Sequence, residues 1–98
     1  MNVVEVLTRY KAWADDVFLS AVASAPPAEL TAPRPIVFGS LIRTLHHSYA
    51  MDYAWQCHLL AKPHGLTSRN PEYCPDLEAL TASQRKIDQW YVHYAQSL

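Results

Sequence analysis

The seven prolines of this chain fall in two short stretches, residues 26–35 and 63–75, and leave three proline-free blocks on either side of them. Proline lacks an amide hydrogen and its ring collides with the preceding turn, so long helices can form only inside those blocks. The middle block is the most informative. From Phe38 to Leu60 (FGSLIRTLHHSYAMDYAWQCHLL) its one glycine stands near the start, and Phe38, Leu41, Leu45, Tyr49 and Leu59 recur at helical spacing. The stretch reads as one long helix with His46 and His47 at its centre and Asp52 and Trp55 just beyond.

The flanking blocks carry the same signal. Asn2 can cap a first helix by accepting from the backbone of Glu5, and Val3, Leu7, Tyr10, Ala14, Val17 and Ala21 then recur every three or four residues up to about Ser24. Thr8, Lys11, Asp15 and Asp16 fall between them, and Trp13 borders the apolar stripe. Asp76 can cap a third helix, in which Leu77, Leu80, Gln84, Ile87, Tyr91, Tyr94 and Leu98 keep the period. The connector Ala25–Pro35 is too rich in proline to extend a helix. The segment after Leu60 (AKPHGLTSRNPEYCPD) reads as an irregular loop, longer than most helix connections.

These elements predict an all-α chain, residues 1–98 forming a single helical domain of three long helices in up-down-up order. At 100° per residue the central helix has a broad apolar face of Phe38, Leu41, Ile42, Leu45, Tyr49 and Leu59. Ser40, His47, Met51, Ala54 and His58 line the opposite side, which has no charged residue near its midline. A helix with two uncharged faces touches neighbours on both, so the second face calls for a fourth helix or a homodimer partner.

Composition excludes several functions. A net charge of -1 with eight scattered Lys and Arg residues lacks the footprint of a nucleic-acid binder. The N-terminus lacks the pattern of a secretory signal, and no apolar run reaches the roughly 18 residues of a membrane span, so a cytoplasmic location without membrane contact is expected. Cys57 and Cys74 then read as ordinary thiols, with a disulfide as the alternative. Gly39 and Gly65 are the only glycines, which leaves no phosphate loop. No Ser, Cys or Thr has a histidine at a spacing that a helix turns into a catalytic pair, apart from Thr44 and Cys57, which stand beside histidines.

Two histidines on one helix share a metal ion when three or four residues apart. His46 and His47 are adjacent and His58 is three turns further on, so a metal at His47 draws its other ligands from elsewhere. In an antiparallel third helix His93 lies at about the height of His47, on a face with Lys86, Gln89 and Gln96. His64 lies in the loop. Asp52 falls on the apolar face and needs a hydrogen-bond partner such as Arg9, Tyr10 or an indole N–H. It reads as a structural anchor, or as support for a metal ligand.

Several of these residues together resemble the DinB family, in the DinB/YfiT-like group of metalloenzymes. The resemblance rests on Tyr10, Ala12, Trp13 and Ala14, on Phe38-Gly39-Ser40, on Thr44-Leu45-x-His47 followed by Asp52 and Trp55, and on YCPDLEAL leading into the third helix. It implies a four-helix bundle, often dimeric, in which three histidines hold a divalent metal such as zinc or nickel. His47 matches the histidine of the second helix; the other two belong to a later motif with no counterpart here. Where the family's chemistry is known, it includes transfer or conjugation of small thiols. The chain thus resembles the first three helices of such a bundle, completed by dimerisation, with an incomplete metal site or one rebuilt across the dimer from His47 of each chain. The alternative reading is a non-catalytic helical dimerisation or interaction module without metal.

Overall fold

The computed structural model describes every residue except Arg69 and Glu72, and its described residues are helical with irregular connections. Four helices occur in chain order: α1 (Val3–Ala23), α2 (Pro27–Thr31), α3 (Leu41–Leu59) and α4 (Leu77–Ser97). The Asn2 side chain accepts from the Glu5 amide at 2.8 Å, and Asp76 accepts from Ala79 at 2.8 Å, so both caps form as the sequence indicates. Among the described residues no helix is long and apolar enough to cross a membrane.

Two boundaries differ from the sequence reading. The central helix starts at Leu41 rather than Phe38, because Gly39 adopts φ +88° and Ser40 caps the helix with its hydroxyl on the Arg43 amide. That left-handed turn keeps the first three residues of the stretch, Phe38, Gly39 and Ser40, out of the helix. The proline-rich connector is not wholly irregular. Pro27 opens α2, where a missing amide hydrogen costs nothing because the first turn has no acceptor for it.

The helix order also differs. Asp16 pairs with Arg85 and Lys11 with Asp88, so α1 and α4 are antiparallel. Along α3 and α4, however, positions rise together: Leu45 shares a cavity with Leu80, Ser48 with Gln84, and Trp55 with Tyr91. These two helices are parallel, and the up-down-up expectation is corrected to up-down-down. The physical reason is the 17-residue connection 60–76, which runs back along α3. Arg43, near the start of α3, donates to the Asn70 side chain at 2.9 Å and to the Pro71 carbonyl at 2.9 Å, and the Cys74 thiol reaches the Ile42 carbonyl at 3.7 Å. Since α3 is about 28 Å long at 1.5 Å per residue, a long connection is what a parallel return requires, whereas an antiparallel neighbour needs only a few residues.

Helix α4 is the element on which the others lean. Leu80, Gln84, Ile87, Asp88, Val92 and Ala95 form its buried stripe, while α1 buries Leu19 and α3 buries Ile42, Ala50 and Cys57. Leu41 and Leu59, expected on the core face of α3, are partly exposed. The second face of α3 is covered in part from within the chain. Phe38 stacks on His47, and the returning segment brings His64, Leu66 and Thr67 against Met51, Ala54 and His58. The larger uncovered apolar surface lies on α1, where Val3, Val6, Leu7, Tyr10, Trp13, Val17 and Phe18 are all about half exposed or more.

Candidate functional site

Helices α1 and α3 both rest on α4 but make little direct approach to one another, which leaves a groove between them. At the middle of that groove five polar side chains converge. The Lys11 ammonium donates to Asp15 at 2.6 Å, Asp52 at 2.8 Å and Asp88 at 3.2 Å. The Gln84 amide donates to the same three carboxylates, at 3.3, 2.9 and 2.9 Å respectively. Tyr91 adds a hydrogen bond from its hydroxyl to the Asp52 carbonyl at 2.6 Å. Lys11 and Asp15 share a face of α1 one turn apart, as do Gln84 and Asp88 on α4, so helical spacing alone presents each pair together.

The electrostatics follow from burial and crowding. Burial works against the Lys11 ammonium, but its hydrogen bonds to Asp15 and Asp52 and the charges of Asp52 and Asp88 outweigh this and hold it protonated above its usual range. Asp88, which is 3% exposed, is pushed up to about 7, first by burial and then by its hydrogen bond with Asp15, against the opposing pull of Gln84 and Lys11. Tyr91 is pushed up to about 12 by burial and by the charge on Asp52, so it remains a phenol donor. Three carboxylates against one ammonium leave the cluster acidic, with net charge between about -1 and -2 near neutrality depending on the Asp88 proton.

Two apolar cavities open on either side of the cluster. One, of about 330 Å³, is lined by Val4, Leu7, Trp55 and Tyr91 and shares Lys11 and Asp52 with the cluster. The other, of about 280 Å³, is lined by Phe18, Leu19, Leu45 and Leu80 and shares Asp15 and Gln84 with it. Apolar walls with a few convergent polar groups and a displaced carboxyl pKa mark this groove as the candidate site. The carboxylates of Asp15, Asp52 and Asp88 lie within 4.8 Å of one another and are the one group of three metal-capable side chains among the described residues. The Lys11 ammonium already bonds all three.

Asp52 does point inward, as its place on the apolar face of α3 implies. Its partners are Lys11 and Gln84 rather than Arg9, Tyr10 or an indole. Sequence reading missed this because Lys11 and Asp15 look like solvent positions between apolar residues; the missed signal is that they sit one turn apart on the side of α1 that also carries Val4 and Phe18. His47 lies elsewhere, half-buried, with its ring stacked on Phe38 at 4.0 Å between centroids. It lines neither cavity. His46 is held below the usual imidazole range by burial and by the Arg43 charge. The parallel α4 does not bring His93 level with His47; the exposed His93 shares a cavity with Tyr53, Gln56 and Trp90. His58 and His64 meet edge to face at 6.0 Å. Cys57 and Cys74 are free thiols, so the alternative of a disulfide is not realised.

No family model, no curated protein and no solved structure matches the chain.

Proposed function

We propose that this chain is a helical interaction module that self-associates through the outer face of α1. The carrying observation is the stripe Val3, Val6, Tyr10, Trp13 and Val17 on α1, which is 71%, 49%, 62%, 62% and 50% exposed respectively, with Trp13 at its edge beside Arg85 and Gln89 of α4. With about 200 Å² on each large aromatic, Tyr10 and Trp13 alone offer roughly 250 Å², about a third of the ~800 Å² that each partner gives to a standard interface. The valines extend that area along about four turns of helix. The stripe also suits a two-fold contact, since no charged side chain lies within it to meet its own copy. An antiparallel pair centred on Tyr10 sets Val3 of one protomer against Val17 of the other. The DinB resemblance, which implies dimers, supports the same reading.

The test is a sedimentation series on the purified chain over a wide concentration range. A dimer is expected, with Trp13→Glu and Tyr10→Glu shifting it to monomer while helical circular dichroism is unchanged. A wild-type monomer throughout, or a dimer indifferent to both substitutions, would overturn the reading. The same preparation titrated with zinc and nickel decides between a non-catalytic module and a metal-dependent protein acting on small thiols: stoichiometric binding lost in His47→Ala would favour the latter.

A further inference from the structure

We propose that the cavity between α3 and α4 binds a small planar aromatic molecule carrying one anionic group, stacked against Tyr49, Tyr53 and Trp90 and paired with the Lys86 ammonium. This goes beyond self-association through α1, since no residue of α1 lines the cavity. At about 490 Å³ it is larger than either cavity beside the Lys11 cluster. Small-molecule sites measure roughly 300–1,000 Å³.

Helical spacing assembles both walls. Tyr49 and Tyr53 are four residues apart on α3, and Lys86 and Trp90 four apart on α4, so each pair shares a face one turn apart, about 6 Å along the axis. The buried Ile87 gives the cavity an apolar base. The Trp90 ring stacks on Tyr94 at 5.0 Å and meets Tyr91 edge to face at 5.0 Å. An indole already held in place loses little freedom when a second ring lies against it. A ring set on Trp90 brings a substituent one turn back along α4, to Lys86.

Charge selects the sign of that substituent. Lys86 and His93 are the basic groups of the lining, and no carboxylate lines it. The described carboxylates are all placed elsewhere. Asp15, Asp52 and Asp88 bond Lys11, Asp16 and Glu29 pair with Arg85 and Arg34, Asp76 caps α4, and Glu5 and Glu78 stand in the first turns of α1 and α4. Glu78 is about 12 Å before Lys86 along the helix. Among the described residues Lys86 has no ion-pair partner, and the carboxamides of Gln56 and Gln89 make no hydrogen bond, so all three groups face the cavity with donors to spare. A cation would meet a like charge there, whereas an anion meets an ammonium with no competing carboxylate. Lysine serves carboxylate and phosphate alike as a point charge, so an aryl carboxylate and a nucleoside monophosphate present the same chemistry to the site.

The probes are indole-3-carboxylate and adenosine monophosphate, titrated at constant ionic strength into the nitrogen-15-labelled full chain, with neutral indole as the control. Two-dimensional NMR resolves the indole N–H signals of Trp13, Trp55 and Trp90, the last identified by its loss in Trp90→Phe. One or both anions should move the Trp90 signal and leave the other two in place. Movement with the carboxylate only, or with the phosphate only, supports the proposal and names the source of the anion. Lys86→Gln, at an exposed position that leaves circular dichroism unchanged, should weaken binding about tenfold, and Lys86→Arg should retain it. No shift of Trp90 with either anion at millimolar concentration, equal binding of indole and its carboxylate, or indifference to Lys86→Gln would overturn the proposal.

Discussion

The Lys11 ammonium lies 2.8 Å from an Asp52 carboxylate oxygen, a bond between residues 41 positions apart that ties α1 to α3 across the groove. Removing the cation leaves three carboxylates facing one another with only the Gln84 amide between them. Breaking a fully buried pair costs about 3–5 kcal/mol. The Lys11 side chain is 40% exposed, so water screens part of the loss, and Lys11→Met is expected to destabilise by about 2 kcal/mol. Urea unfolding of Lys11→Met, Asp52→Asn and the double variant checks the coupling. The double variant should lose clearly less than the sum of the single losses; strict additivity would show that the two groups do not act as a pair.

Asp88 gives stability a pH dependence. Its carboxyl titrates at about 7 in the folded chain against an ordinary 3.8. A raised carboxyl pKa means that the folded state binds the proton more tightly than the unfolded state. The resulting stability is fully present below about pH 4 and is lost as pH rises through about 7. Lys11, held above its usual range, keeps its charge over this whole window. Asp88→Asn has no proton to lose. Between pH 4.5 and 8 its unfolding free energy should be flatter than that of the wild type, by on the order of 2 kcal/mol over the range. Parallel curves for the two proteins would remove Asp88 as the cause.

How far the sequence exposes this fold can be judged from particular residues. Asn2 and Asp76 announce their helices because capping needs only a short polar side chain at the right place, a purely local requirement. The direction of α4 is not local. It depends on Arg43 reaching Asn70 and Pro71, a contact between distant segments that periodicity does not encode. The length of the loop was the legible clue to a parallel return. The groove cluster was half legible: Asp52 stands out as a carboxylate on an apolar face, whereas Lys11 and Asp15 acquire meaning only once α4 brings Gln84 and Asp88 beneath them.

Arg43 therefore controls the crossover more than the helices it joins. Its guanidinium makes three hydrogen bonds to Asn70 and Pro71, and Arg43→Ala removes all of them. Limited proteolysis should cut within residues 60–76 several-fold faster in the variant, while the unfolding free energy from urea titration falls by only about 1 kcal/mol. If the urea midpoint fell steeply in step with the cutting rate, the segment would be opening only with global unfolding. That result would rule out a locally clamped crossover.

At the far end of α3 the chain leaves the helix through Ala61, a residue with a side chain in the left-handed region at φ 56°. The turn closes with the Lys62 amide donating to the Cys57 carbonyl at 2.9 Å and the Ala61 amide to the His58 carbonyl at 3.1 Å. This is the arrangement in which glycine is favoured, because a Cβ in that backbone conformation crowds the following carbonyl. The chain places its glycine four positions later instead, at Gly65, so the helix end is strained and the sequence gives no glycine stop signal there. Ala61→Gly relieves that strain but adds unfolded-state entropy, and the strain of about 1–2 kcal/mol outweighs the roughly 0.5–1 kcal/mol that glycine costs. The substitution should stabilise the chain by a few tenths to about 1 kcal/mol, visible as a higher urea midpoint at unchanged slope. A lower midpoint would mean that the left-handed turn at Ala61 is not the conformation of the chain in solution.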